Sequence, residues 1–184
     1  MTFENSWVKS LNSWGLNHSG LVKFFGDSLV YIVLGLAALW IVRNELHRNS
    51  LKNFGAFAKA IIKDGILNFA IPLGAAVVFS ELLSKLVDRS RPFVTVDGVK
   101  LVFPHTADGG MPSHHVLFMV ALATCIHFRD KLVGNTLIVL ALISGLARIA
   151  AGIHFPSDII VGAVLGYAVV RIYQWALSKT SLAK

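Results

Sequence analysis

Apolar residues gather into five long runs separated by short polar stretches: Phe24 to Val42, Asp64 to Ser84, Ser113 to Arg129, Leu132 to Gly152 and Ser157 to Leu177. About 20 apolar residues in helix cross a hydrocarbon core, so each run predicts a membrane helix. The first run starts too deep in the chain, and lacks a small-residue cleavage site behind it, to be a removable signal peptide. Ahead of it, Phe3, Trp7, Leu11 and Trp14 recur at helical spacing among polar residues. That pattern predicts an amphipathic helix over residues 1–20 lying in the interface, its tryptophans at headgroup depth. Asn68, Pro72 and Gly74 predict a kink in the second run, while Gly162 and Gly166, and the cluster Ala147, Ala151 and Gly152, are small packing residues. The longest loop, Arg91 to Met111, carries Asp97-Gly98 between Val94-Thr95-Val96 and Val99-Lys100-Leu101-Val102. This is a hairpin signal, and an irregular loop dipping into the interface is the other option. The expectation is an all-α membrane protein: a bundle of five transmembrane helices, an N-terminal interfacial helix and a small β-hairpin in the long loop. With no internal repeat and little chain left over, residues 1–184 form a single domain.

Composition supports a membrane protein. Of 184 residues, 55% are hydrophobic and 15% charged, against about 25% charged in soluble domains. The net charge of +7 is spread over loops with no basic run or aromatic-interleaved patch, which excludes nucleic acid as a partner. The single cysteine, Cys125, lies inside an apolar run as a packing residue and rules out an intrachain disulfide. Five spans put the termini on opposite sides and divide the 17 basic residues ten to seven. The richer side, which holds the C-terminus, is expected to be cytoplasmic in a multi-pass protein of the cell membrane.

Ionisable residues at membrane depth are costly, and so informative. They form three groups: Lys85 with Arg89, Arg91 and Pro92; Gly109-Gly110-Met111-Pro112-Ser113-His114-His115; and Arg148, His154 and Asp158. The predicted topology brings all three out on one side, opposite the basic loops and therefore extracytoplasmic. Lys85, Arg91 and Arg148, with the free N–H groups that start the third helix, make a site for an oxyanion, most naturally phosphate. His154 precedes Asp158 by about one helical turn, so the carboxylate can accept the Nδ1 proton and leave Nε2 as an oriented nucleophile. A second histidine can protonate the leaving oxygen and then activate water. No metal-ligand spacing accompanies these residues, so neither metal nor cofactor is expected.

At these positions the sequence resembles the type 2 phosphatidic acid phosphatase superfamily of membrane lipid phosphatases, from about Ser80 to the end of the fifth run. Ala147-Arg148, His154 and Asp158 match its Ser-Arg, His, Asp motif with the serine replaced. Pro112-Ser113-His114-His115 is similar to its Pro-Ser-Gly-His, and Lys85 to Arg91-Pro92 to its Lys…Arg-Pro. The resemblance implies a phosphohistidine on His154, oriented by Asp158, with His115 as general acid. It also implies that Lys85, Arg91, Ser113 and Arg148, with His114 beside them, hold the phosphate without metal. Lys85 is one residue nearer Arg91 than the usual lysine, which falls at Ser84, so Arg89 is an alternative for that cation. His114 in the glycine place favours undecaprenyl diphosphate as the lipid phosphate substrate, giving the monophosphate and phosphate. A glycerolipid phosphatase acting on phosphatidylglycerophosphate or phosphatidic acid, and a non-catalytic anion- or lipid-binding or transport protein, are the alternatives. His18, His47, His105 and His127 read as interfacial side chains, Glu81 as an ion-pair partner of Lys85, and Asp27 and Asp64 as helix-end caps.

Overall fold

A computed structural model describes residues 3–48 and 54–180. Lys52 and Lys184, two of the ten basic residues on the richer side, and the outermost ends of the expected 1–184 domain lie outside the described residues. The chain runs through α1 (Phe3–Asn17), α2 (Ser19–Lys23), α3 (Leu29–Arg48), α4 (Phe54–Gly65), α5 (Ile71–Val87), α6 (Pro92–Thr95), α7 (His114–His127), α8 (Lys131–Ala150) and α9 (Pro156–Ser178). A wide π-helical turn, Phe24–Ser28, joins α2 to α3, and another, Ile66–Ala70, joins α4 to α5. The second precedes Pro72 and contains Asn68, so the proline that cannot close the helical ladder is absorbed by a widened turn at the expected kink.

Four helical stretches are long and apolar enough to cross a membrane: Ser19–His47, Ile61–Thr95, Lys131–Ala150 and Pro156–Ser178. The third expected span is the shorter α7. At a rise of about 1.5 Å per residue its 14 residues reach roughly 21 Å, less than a hydrocarbon core of about 30 Å. It is apolar on every side, and Val116, Leu117 and the run from Met119 to Ile126 are buried. A helix of that kind belongs at the centre, and α7 packs against α8, α9, α5 and α3. Gly162 and Gly166 let α9 approach it: a Cβ on Gly162 would come within 2.8 Å of Ser113 O, and one on Gly166 would collide with Leu117 O. The four-residue glycine spacing thus fixes the start of α9 against the start of α7.

The far end of the bundle is tied by Arg129, whose Nη1 and Nη2 donate to Asp64 Oδ2 and Oδ1 at 2.6 and 2.5 Å. Asp64 is therefore a buttress between α4 and the α7–α8 corner. Asp130 caps α8 by accepting from Val133 N, and it also accepts from Trp40 Nε1 at 3.2 Å.

Two expectations change. Among the described residues there is no strand, and the long loop is not a hairpin. Its first part is the one-turn helix α6, started by Pro92, followed by a turn at Asp97-Gly98 closed by Val99 N to Val96 O at 3.1 Å, with Gly98 at φ +83°. The alternating valines pack inward at Val96 and Val99. The loop's backbone groups pair with the α8–α9 corner, Phe93 N with Gly152 O and Val102 N with Ala151 O, so no second strand is needed to satisfy them. The N-terminal helix is also two-sided. Phe3, Trp7 and Trp14 are exposed as expected, but Val8, Asn12 and Gly15 are buried. Asn12 Nδ2 donates to Lys100 O and Ala150 O, and its Oδ1 accepts from Lys100 N.

Candidate active site

The ends of α5, α8 and the long loop meet the starts of α7 and α9 around His154, which lies in the short corner between α8 and α9 and is 2% exposed. Gly152, at φ +78°, turns the chain sharply out of α8, and Pro156 then starts α9. His154 Nε2 stands 3.4 Å from Arg91 Nη1. A guanidinium has only donors, so Nε2 is the acceptor and Nδ1 carries the proton. Nδ1 donates to Gly110 O at 2.8 Å, while Asp158 Oδ2 stands at 3.5 Å. The Gly110 carbonyl thus takes the contact that the sequence assigns to Asp158. Asp158 is held instead by Phe155 N, donating to Oδ2 at 2.7 Å, and by Arg89 Nη1, donating to Oδ1 at 2.8 Å. Burial, then the charges of Arg148 and Arg91, push His154 well below the ordinary imidazole range, against the bond to Gly110.

Two buried arginines flank the imidazole. Arg91 is fixed by Asp108, whose carbonyl and carboxylate accept from Nε and whose Oδ1 also accepts from Nη2 at 2.9 Å. Further bonds run to Gly109 O and Ile153 O. Arg148 reaches from the last turn of α8 to Gly26 O through Nη1 and to His105 Nε2 through Nη2, at 2.9 and 3.0 Å. Its Nε and the Oγ of Ser113 are buried without a hydrogen-bond partner. Ser113 precedes α7, and its N–H donates to Asp158 O at 3.1 Å, stitching the second group to the third. A cluster with two guanidinium groups, an acceptor imidazole nitrogen and unspent buried polar atoms suits a tetrahedral oxyanion.

His115 is half-buried and lines an apolar cleft of about 300 Å³ between α3, α5 and α7, together with Tyr31, Leu34, Val77 and Phe118. Arg91, Ser113, Arg148, His154 and Asp158 come together. Lys85 does not: it is exposed in the last turn of α5, one position beyond Ser84, the residue that faces Gly109. His114 is exposed, with Nδ1 3.7 Å from Glu81 Oε1, so among the described residues Glu81 lies against His114 and not against Lys85. Arg89 is turned to Asp158 and Ser157 instead of standing in for the lysine.

Two participants, His105 and Asp108, carry no signal in the motifs, and Gly110, inside the second group, takes part through its backbone carbonyl. His105 is no interfacial side chain. Its Nε2 accepts from Arg148 and its Nδ1 donates to Thr106 O at 3.0 Å. Burial, with the charges of Arg91 and Arg148, holds it below the ordinary imidazole range, against the Thr106 bond. The unusual length of its loop was the one hint available, because long loops in compact domains tend to be functional.

Comparison with known proteins places this cluster. The chain is 27% identical over 170 residues to the undecaprenyl-diphosphatase BcrC of Bacillus subtilis, covering 83% of this chain and 80% of that protein. It is 26% identical over 175 residues to the bacitracin transport permease protein BcrC of Bacillus licheniformis, covering 93% and 79%. Its fold is that of Aquifex aeolicus LpxE, with a TM-score of 0.71 and 22% identity over 95% of this chain and 96% of that one. The family model of the PAP2 superfamily matches residues 65–181, the stretch that supplies every arginine and histidine around His154, and the chain belongs to that superfamily as a membrane lipid phosphatase.

Proposed function

We propose that the protein hydrolyses undecaprenyl diphosphate to undecaprenyl phosphate and phosphate through a phosphohistidine on His154. The observation that carries this is the unprotonated Nε2 of His154 facing Arg91 Nη1 at 3.4 Å in a buried cationic cluster. The Nε2 lone pair attacks the terminal phosphorus as the bond to the bridging oxygen breaks, and His115 gives that oxygen its proton. Water then attacks the phosphohistidine, His115 takes the proton back, and phosphate leaves. Arg91, Arg148 and Ser113 hold the equatorial oxygens, and Asp158 steers the His154 ring in concert with Gly110. The guanidinium groups supply the positive charge, so turnover proceeds without a metal. The apolar cleft ending at His115 gives a polyprenyl chain a path that keeps its phosphates at the cluster. The undecaprenyl-diphosphatase similarity supports the diphosphate over glycerolipid phosphates. We assign residues 1–184 to one membrane-embedded domain, α7 to the third and central of its five membrane helices, and the cluster to the extracytoplasmic face.

Phosphate release by purified protein in detergent, with excess EDTA, tests the reading on undecaprenyl diphosphate, phosphatidic acid and phosphatidylglycerophosphate. The diphosphate should be turned over fastest and the chelator should not matter. His154→Ala should abolish turnover and the acid-labile phosphoenzyme, and His115→Ala should slow turnover by about 100-fold or more, the scale of a lost general acid. Full activity of His154→Ala, or a requirement for added magnesium, would overturn the mechanism. Faster turnover of a glycerolipid would overturn the substrate.

A further inference from the structure

The N-terminal helix sends one side chain into the machinery. Glu4 Oε1 accepts the backbone N–H of Ser157 at 2.9 Å, and Oε2 accepts from Arg89 Nη2 at 2.7 Å. The other amino group of the same guanidinium, Nη1, donates to Ser157 Oγ at 2.5 Å and to Asp158 Oδ1 at 2.8 Å. Arg89 Cζ also lies 4.1 Å from the centroid of the Phe155 ring. Arg89 therefore bridges a fully buried carboxylate, Asp158, and a partly exposed one, Glu4.

A buried carboxylate is costly unless it is paired and hydrogen-bonded. Arg89 supplies that pair for Asp158 and fixes one oxygen, so the other is left to Phe155 N and stands 3.5 Å from His154 Nδ1. Arg89 itself lies in the non-helical link between α5 and α6, and its direction depends on what holds its far end. Glu4 does this. Burial would raise the Glu4 carboxyl, but the bonds from Ser157 and Arg89 win and hold it below the usual carboxylate range, so it is an anion at neutral pH. Docking of α1 does not need Glu4: Asn12, bonded to Lys100 and Ala150, and Gly15, whose Cβ would sit 2.6 Å from Ala150 O, place that helix independently.

We propose that Glu4 is a positioning residue of the phosphatase site, acting through Arg89 on Asp158, so that the N-terminal helix completes the catalytic apparatus. This rests on the assignment of Asp158 and His154 made above. If Glu4 merely stapled the surface, its loss would move the thermal midpoint and leave the turnover constants alone.

The test measures kcat, KM and thermal midpoint on undecaprenyl diphosphate for the full chain in detergent. Glu4→Gln keeps the size and an acceptor for Ser157 but loses the charge that orients Arg89. It should lower kcat about tenfold with KM within about twofold, since misplacement of a catalytic group falls on the chemical step. Arg89→Ala should cost about 100-fold and Arg89→Lys should recover part of it. The double variant Glu4→Gln/Arg89→Ala should be no slower than Arg89→Ala, because both act along one path. Wild-type kcat in Glu4→Gln, or losses that multiply in the double variant, while Asp158→Asn is impaired, would sink this inference alone. A fully active Asp158→Asn would instead remove the catalytic assignment on which it rests.

Discussion

An imidazole set between two guanidinium groups resists a second proton, and for a nucleophile that is the useful state. His154 is depressed below the ordinary imidazole value of about 6.5 by burial and then by Arg148 and Arg91. The sign follows: with the folded value below the unfolded one, its contribution to stability is complete above about pH 6.5 and is lost as pH falls from there through the folded value. The neutral nucleophile correspondingly persists on the acid side. NMR of ring-labelled histidine in detergent micelles should show His154 keeping its neutral form as the pH falls through and below the ordinary imidazole range. A His154 that titrates in the ordinary imidazole range would contradict the buried cationic setting. Arg148, His154 and Asp158 were legible in the sequence because charged groups at span ends need a reason, and their spacing matched a helix start. His105 and Glu4 were not. A lone histidine in a loop and a lone glutamate on an amphipathic helix have no spacing to reveal them, and only the fold brings them to Arg148 and Arg89, 43 and 85 residues away.

At the scale of elements, α7 is the axis and α9 is the element that must touch it. Gly166→Val puts a branched side chain into Leu117 O and Ala121 N. It should push α9 outward, cost about 1–3 kcal/mol of stability as other overpacked sites do, and impair turnover by drawing Asp158 and Ser113 apart. Gly35→Val, on α3 with nothing within 4 Å of its added Cβ, should change the thermal midpoint and activity little. Equal behaviour of the two variants would show that the glycine pair does not set the α7–α9 approach. The glycine spacing and the kink near Pro72 were readable from local rules. The long loop misled because alternating valines around Asp-Gly look alike whether they face a partner strand or, as Val96 and Val99 do, turn into a core built by other helices. Tertiary packing overrides that pattern, since the backbone partners Gly152 O and Ala151 O lie 59 and 49 residues downstream of Phe93 and Val102.

For the whole molecule the decisive property is that its two ends differ. One carries Arg91, Arg148, His154 and the long loop; the other carries the Arg129–Asp64 pair and the start of α8. Ten of the 17 basic residues fall in the stretches that the sequence assigns to the second end, and a bias of that kind predicts that this end is cytoplasmic. A carrier diphosphate released outside would then meet the cluster without crossing the membrane. Cysteines at two exposed positions decide the orientation: Asp97, in the long loop, and Lys131, at the start of α8. Both are made in a Cys125→Ala background, where the native thiol is buried. An impermeant maleimide added to intact cells should label Asp97→Cys at once, and Lys131→Cys only after the membrane is permeabilised. Labelling of Lys131→Cys alone in intact cells would invert the molecule and place the phosphatase cluster in the cytoplasm, where a role on an outer-leaflet substrate is physically impossible.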